Sequence, residues 1–139
     1  MDAILLCDSL TRLAHAAGDV AEVKRLFGSG RNLAGGGSLT VIATTVTGID
    51  GADAERAVIT TETALVALDP DLAAAGVTPP INARESRISN EDQLRDPEEL
   101  EAARRLRAQL ADLDAVEAAT HLRDRIQATS SNAELLRSL

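Results

Sequence analysis

One carboxylate in the sequence stands where it could do chemistry, at the end of an apolar run. Asp8 follows Ala3-Ile4-Leu5-Leu6-Cys7, which lacks alternation and so predicts a strand buried on both faces of a parallel sheet. A carboxylate there lies at the carboxyl edge of the sheet, where open α/β folds bind ligands, and it could hold a nucleotide-bound magnesium ion. A strand-terminal Asp is more often a helix N-cap, here for the helix predicted from Ser9 to Ala17, and the pattern leaves both roles open.

A strand-terminal acid that holds nucleotide-bound magnesium is called a Walker B acid. Its usual partner is a phosphate-binding loop, GxxxxGK[ST], whose backbone amides surround the phosphates. The sequence contains no such motif. Its nearest glycine clusters are Gly28-Ser29-Gly30 and Gly35-Gly36-Gly37-Ser38, and neither places a lysine next to Ser or Thr. The single lysine, Lys24, falls inside a predicted helix. Because Gly35 to Gly37 leads into a strand and not a helix, a turn is the favoured interpretation.

The histidines and the single cysteine do not form a pattern typical of a catalytic nucleophile or a zinc site. His15 and His121 are solitary on predicted helices, where a surface or boundary histidine is the simpler interpretation. Cys7 lies inside a predicted strand and is expected to be inert, and a lone cysteine excludes an internal disulfide. The basic cluster Arg104, Arg105 and Arg107 follows acidic residues, and Glu101 and Arg105 have the i, i+4 spacing of a solvated helix face.

Composition narrows the remaining functions. The 139 residues suit one domain, and 22 acidic against 14 basic residues give a net charge of −8. With one Phe and neither Trp nor Tyr, the chain lacks the aromatic platforms of single-strand nucleic-acid binders. The longest apolar run is too short for a membrane span, and Met1-Asp2 lacks the basic start of a signal peptide. We therefore expect a cytoplasmic protein.

Strands and helices alternate early in the chain, and helices follow one another late. Strands are predicted at Ala3–Cys7, Leu39–Thr45 and Ala64–Leu68, with a helix from Asp19 to Gly28 and a loop from Gly48 to Ala54. Three C-terminal helices are expected to begin at capping residues, which are Asp96 before Pro97, Asp114, and Ser131. The pattern predicts an α/β fold with a helical C-terminal cap.

Four stretches, taken in order, resemble the bacterial transcription termination factor Rho family, which are hexameric, RecA-like, ATP-driven RNA translocases. The first is AILLCDSLTRLAHAA, from Ala3 to Ala17, similar to the Walker B strand and the helix after it. The second and most specific is KRLFGSGRNLAGGGSLTVIAT, from Lys24 to Thr44. The third, Leu68 to Ile81, is similar to the segment before the arginine finger, and the fourth, Asn90 to Leu136, is similar to the closing helices.

The resemblance implies a partial RecA-like, P-loop-type parallel sheet. Residues 1–95 would be an ATPase core that starts at the Walker B strand, and residues 96–139 the C-terminal helical segment of the same domain. Asp8 would be the acid that holds the magnesium ion of bound ATP through water, but only where a P-loop is supplied, and Thr44 and Thr45 would match the sensor region. We therefore expect the chain alone to bind neither ATP nor its magnesium ion. The P-loop and the RNA-binding domain have no counterpart here, and acids stand near Gly51 to Asp53, where the family carries an RNA-gripping lysine. Arg87 is a weak candidate for the arginine finger.

Two functions follow from the resemblance. The chain is expected to be a fragment of a Rho-like ATPase domain that is inactive alone and binds RNA weakly or not at all. Alternatively, it is a non-catalytic interaction module that docks on or blocks ring ATPase subunits. A rotary or flagellar export ATPase is disfavoured by the run from Lys24 to Thr44. Because the strand at Ala64–Leu68 lacks its usual sheet neighbour, self-association or docking on a Rho-like subunit is also expected.

Overall fold

The computed structural model describes residues 1–48 and 52–139 and divides the chain into two compact units. Unit 1 comprises Met1–Glu62, and unit 2 comprises Thr63–Leu139. The boundary at residue 95, which the resemblance implies, stays a prediction.

Two parallel strands form the centre of unit 1. Strand β1 (Asp2–Cys7) pairs in parallel with β3 (Ser38–Ala43), and the short β2 (Arg31–Asn32) pairs antiparallel on the other side of β3. Ala3 lies opposite Leu39 and Cys7 opposite Ala43, so the two apolar runs are neighbours as the sequence predicts. The sheet order is β1-β3-β2, which leaves β1 at an edge.

Three helices of unit 1 build its core. They are α1 (Leu10–Ala17), α2 (Val20–Phe27) and α3 (Ala52–Val58). Ser9, and not Asp8, caps α1, and Asp19 caps α2 at the predicted start of that helix. Leu10 and Val23 are buried with Ala57 and Val58 of α3, and Cys7 and Ala43 of the sheet pack against them. Helix α3 was not predicted, because its first residues fall in the loop expected from Gly48 to Ala54.

The expectation that β1 is buried on both faces is wrong for this unit. Leu5 and Cys7 are half-buried, but Ile4 and Leu6, which point the other way, are 68% and 73% exposed. Ile42 of β3 is 54% exposed. The helix core of unit 1 packs on the side of Cys7 and Ala43, so an unalternating apolar run here reflects two apolar faces, one of which is uncovered.

Unit 2 is mostly helical. Its two-stranded antiparallel sheet joins β4 (Ala64–Leu65) to β5 (Arg87–Ile88). The helices are α4 (Pro70–Ala74), α5 (Glu91–Leu94), α6 (Pro97–Leu110), α7 (Ala115–Gln127) and α8 (Asn132–Arg137). Asp96, Asp114 and Ser131 each cap a helix, which confirms the three predicted C-terminal starts.

The segment Ala64–Leu68, predicted as a third buried strand, finds partners inside unit 2. Beyond β4, Leu68 forms an isolated antiparallel bridge with Ile81. The Ala67 amide donates to Ser86 Oγ at 3.1 Å, and the Asn82 amide donates to the Ala67 carbonyl at 2.9 Å. The unpaired strand from which association was expected is therefore not seen. None of the helices among the residues described could span a membrane.

Candidate functional site

The structure brings together two of the residues that the sequence singled out. Asp8 directly follows β1, and Thr44 directly follows β3. The Thr44 hydroxyl donates a hydrogen bond of 2.6 Å to Asp8 Oδ1. The Thr44 amide donates to the Cys7 carbonyl at 3.0 Å, which extends the parallel ladder by one step. The pair thus lies at the carboxyl ends of adjacent parallel strands, where ligands of open α/β sheets bind.

The turn after β1 leaves the Asp8 side chain out of helix capping. Ser9 is the N-cap of α1, because its hydroxyl accepts from the Arg12 amide at 3.2 Å. The peptide bond between Asp8 and Ser9 is cis. The first amide of α1, that of Leu10, donates to the Thr44 carbonyl at 2.9 Å. The alternative role considered for Asp8, that of helix cap, is therefore wrong, and the helix start instead holds the end of β3.

A buried hydroxyl holds the chain beyond β3. Thr11 is 5% exposed, and its Oγ1 accepts a 3.0 Å hydrogen bond from the Val46 amide. Thr45, the other residue expected in the sensor region, is half-buried. In sequence it lies between Thr44 and Val46, whose amide binds Thr11. Sequence reasoning did not select Thr11. Its position three residues before Ala14, on the apolar side of the predicted helix, is the signal that could have found it.

The same two strands carry a second acid–hydroxyl pair at their other ends. Ser38 Oγ donates to Asp2 Oδ1 at 2.8 Å, and Asp2 lies opposite Ser38 in the register. Strand alternation places Asp2 and Asp8 on one face, since they are six residues apart. The two pairs are alike in chemistry and differ in position. Only Asp8 with Thr44 lies at the carboxyl edge, so Asp2 with Ser38 is a natural internal control.

Asp8 and Thr44 suit a metal ion that takes most of its ligands from phosphate and water and only one or two from the protein. Within residues 1–48 and 52–139, no group of three or more His, Cys, Asp or Glu side chains is placed to hold a metal ion. Asp8 is exposed and offers a carboxylate beside one hydroxyl. Mg²⁺ commonly uses one or two carboxylates and fills its shell with phosphate oxygens and water. Asp8 therefore fits a nucleotide-bound magnesium ion better than a free one.

The arginine-finger candidate lies in the other unit. Arg87 belongs to β5, is exposed and pairs across the small sheet with Leu65. Its assignment stays a prediction. Of the acidic stretch at Gly51 to Asp53, Gly51 is outside the described residues. Asp53 lies in the first turn of α3 and forms an ion pair with Arg56.

The basic cluster on α6 is engaged by an acid that the sequence reasoning missed. Arg107 donates two hydrogen bonds to Glu91, at 2.7 and 2.8 Å, and Arg95 Nε lies 2.9 Å from the same carboxylate. The hydrogen bonds from Arg107 hold the pKa of Glu91 below its ordinary value, although burial opposes this. Glu101 pairs with Arg104 at 3.9 Å rather than with Arg105. Glu91 is 16 residues from Arg107, so helix spacing could not reveal it.

The two histidines belong to different units. His15 is exposed in the last turn of α1, as expected for a surface histidine. His121 lies on α7 in unit 2, and its Nε2 is buried without a hydrogen-bond partner among the residues described.

Comparison with known proteins gives one consistent result. No family model matches the chain. Three curated relatives, all named Transcription termination factor Rho, illustrate the similarity. The protein from Rhodopirellula baltica is 34% identical over 99% of this chain, which covers 31% of that relative. The Chromobacterium violaceum protein is 32% identical over 99% of this chain, covering 38% of the relative. The Streptomyces lividans protein is 33% identical over 97%, covering 22%.

The chain therefore spans between about a fifth and two fifths of the length of these relatives, while they match nearly all of it. The matches agree with the resemblance carried by the runs from Ala3 to Ala17 and from Lys24 to Thr44. The resemblance is confirmed: over nearly its whole length, this chain is homologous to a segment of transcription termination factor Rho.

Proposed function

We propose that this chain forms part of a Rho-type ATPase domain and that Asp8, with Thr44, holds the magnesium ion of bound ATP. The observation that carries the proposal is the hydrogen-bonded pair at the carboxyl ends of two adjacent parallel strands. An acid at the end of an apolar strand, beside a hydroxyl on the next strand, is suited to a metal–phosphate group. Movement on RNA, which the resemblance implies, is proposed only for a complete Rho-type protein.

Each residue at this edge has a distinct task in the proposal. Thr44 donates to Oδ1 of Asp8 and so fixes the orientation of the carboxylate. The described residues make no hydrogen bond to Oδ2, which leaves that oxygen able to accept from a metal-bound water. Thr11 holds the Val46 amide, and this fixes the backbone that carries Thr44 and Thr45. The magnesium ion, when bound, neutralises charge on the phosphates.

Because the metal role of Asp8 depends on a P-loop, NMR spectra test the site in a chimera in which the isotope-labelled 139 residues replace the matched segment of the R. baltica Rho protein. The measurement is paramagnetic broadening of amide signals. Mn²⁺ with ATP should broaden the amide signals of Asp8, Ser9 and Thr44 more than those of Asp2 and Ser38. Asp8→Asn should remove most of the difference, and Thr44→Val should weaken it while Thr44→Ser preserves it. The matched control is Asp2→Asn, which alters the same kind of pair at the other end of the strands. Equal broadening at both ends, or broadening that survives Asp8→Asn, would refute the proposal.

A second function, that of a non-catalytic module that docks on or blocks ring ATPase subunits, is favoured by one observation. Ile4, Leu6 and Ile42 leave an apolar sheet face exposed in unit 1. If this function holds, the purified chain should lower the ATPase rate of the R. baltica Rho protein in proportion to its concentration. A Leu6→Lys variant should not. A rate unaffected by excess chain would remove this alternative.

A further inference from the structure

We propose that a pocket of unit 2, lined by α6, α7 and α8, binds a small monocarboxylate that has an apolar body. The pocket has a volume of about 420 Å³, which lies within the range of small-molecule sites. Its charged lining residues are Arg95 and Arg107. All of its lining residues belong to unit 2, so the site uses neither Asp8 nor Thr44, which belong to unit 1.

The apolar part of the pocket comes from three helices. Its main aliphatic lining residues are Ala103, Leu106, Leu122, Ile126, Leu135 and Leu136. Leu122 and Ile126 are four residues apart on α7 and therefore share one face of that helix. Ile126 is 52% exposed, so the neighbouring helices leave part of this apolar wall uncovered. A ligand with an aliphatic body can bury that surface, and the burial favours binding.

Glu91 engages the two arginines of the pocket unequally. Arg107 donates to it from both terminal nitrogens, at 2.7 and 2.8 Å. Arg95 contacts the same carboxylate through Nε, at 2.9 Å. Among the residues described, the two terminal nitrogens of Arg95 donate no hydrogen bond. Because a guanidinium group can bind a carboxylate through two parallel N–H bonds, Arg95 is able to hold a second carboxylate there.

The charge of this cluster matches a ligand with one negative charge. Two guanidinium groups meet one carboxylate, so the cluster of Glu91, Arg95 and Arg107 is left with one positive charge. The side chains of Glu91 and Arg95 are only 14% and 28% exposed. Salt screens partly buried charges less than open surface charges. A monocarboxylate neutralises the cluster, whereas a phosphate dianion would leave one negative charge in excess.

The hydroxyl groups of the pocket are poorly placed to bind a ligand. Thr129 Oγ1 donates to the Ile126 carbonyl at 3.1 Å, and Ser130 Oγ donates to Glu134 at 2.6 Å. A ligand rich in hydroxyl groups would have to break these hydrogen bonds. A carboxylate needs no such change, because it meets the available donors of Arg95.

Octanoate and its neutral analogue octanamide test the proposal in NMR titrations of the 139-residue chain. Octanoate should shift the amide signals of Leu122, Ile126 and Leu135. It should bind at least about tenfold more tightly than octanamide, because only octanoate carries a charge for Arg95. Acetate has the charge without the apolar body and should give no saturable shift over the same concentrations.

Three variants assign the effect to residues. Arg95→Gln should lower the affinity for octanoate to that for octanamide. Ile126→Asn should weaken both ligands alike, because it alters the apolar wall. The matched control is Arg123→Gln, which removes an exposed arginine of α7 that does not line the pocket, and it should change neither affinity.

The unaltered chain can overturn the proposal even where a variant fails to fold. Equal affinities for octanoate and octanamide, or an octanoate titration that does not saturate, would show that the pocket does not select a carboxylate. Equal losses in Arg95→Gln and Arg123→Gln would show that octanoate responds to net charge and not to Arg95. The titrations contain neither ATP nor a metal ion, so their outcome is independent of the function proposed for Asp8.

Discussion

At Asp8, position and not residue type distinguishes a candidate metal ligand from a structural acid. Asp2 and Asp8 each accept a hydrogen bond from a hydroxyl on β3, at 2.8 and 2.6 Å. Both are exposed and lie on the same face of the sheet. Only Asp8 lies at the carboxyl edge, beside the start of a helix whose first amide holds the Thr44 carbonyl. The two acids differ because Asp2 begins β1 and Asp8 follows its end. In the parallel pairing of β1 with β3, only Asp8 lies at the carboxyl ends of both strands.

Glu91 offers a residue-scale prediction in unit 2. Its side chain is 14% exposed and binds both Arg95 and Arg107. Hydrogen bonds from Arg107 lower the pKa of Glu91 in the folded state. Ionised Glu91 therefore contributes fully to folding stability at pH values above its pKa in the unfolded chain. This contribution is lost as the pH falls through its pKa in the folded protein. We expect Glu91→Gln to cost about 1–2 kcal/mol near neutral pH.

Urea unfolding at a series of pH values checks the Glu91 prediction. The gap between the wild type and Glu91→Gln should be widest near neutral pH and should narrow as the pH falls below about 4, the ordinary range of a glutamate. Glu85→Gln, which changes an exposed glutamate of the same unit, is the matched control and should show little gap. A gap that does not vary with pH would contradict the assignment of the lowered pKa to these arginines.

At the scale of elements, α3 closes the core of unit 1. Ala57 and Val58 are buried against Leu10 and Val23, which come from α1 and α2. The helices cover the side of the sheet that carries Cys7 and Ala43, and the exposed face is on the other side. The β1–β3 pair therefore has two apolar faces. One face is packed against helices and stabilises this unit, and the other is exposed.

Two neighbouring residues test the role of α3. Val58→Ala should destabilise unit 1 by about 1–3 kcal/mol, because it removes two buried methyl groups from the core. Ile59→Ala removes more atoms, but Ile59 is 50% exposed, so its cost should be about 0.5 kcal/mol or less. Amide exchange in α1 and α2 reports the stability of unit 1. Equal effects of the two substitutions would show that α3 does not pack on this core.

For the whole molecule, we expect no ATP hydrolysis by residues 1–139 alone. Catalysis of phosphoryl transfer rests on phosphate positioning, metal charge and an arginine finger. The sequence has no GxxxxGK[ST] motif, and its one lysine, Lys24, lies in α2. Phosphate release from ATP should equal the blank, with or without a pyrimidine-rich RNA. Turnover that RNA stimulates and that Asp8→Ala abolishes would contradict this expectation.

RNA binding by the whole chain should also be weak. The net charge is −8, and many basic side chains are already paired with acids, as Arg25 is with Glu22 and Arg107 with Glu91. The excess of acidic residues opposes binding to a phosphate backbone, because that binding depends on attraction between phosphates and Lys or Arg. Fluorescence polarisation with a labelled pyrimidine-rich RNA at physiological salt should stay flat, with polylysine as the positive control. Sub-micromolar binding that weakens as salt is added would show the expectation to be wrong.

The sequence alone determined the local features of this protein. Asp96, Asp114 and Ser131 begin helices because a capping side chain and the first turn are close in sequence. The apolar runs marked β1 and β3, and the resemblance to the Rho family followed from ordered motifs. Asp8 and Thr44 were each selected from their position after a strand. That they lie in contact, 36 residues apart in sequence, was decided by the parallel register.

Only the tertiary structure decided which surfaces are covered and which charges are paired. The apolar run of β1 reads the same whether its second face is buried or exposed, because burial depends on what packs there. Glu91 reaches Arg107 across a helix–helix contact, and no short-range pattern records such a pair. The segment Ala64–Leu68 looked like a strand in need of a sheet, yet it pairs with residues near Ile81 and Ile88. Long-range partners are set by packing, which local sequence does not encode.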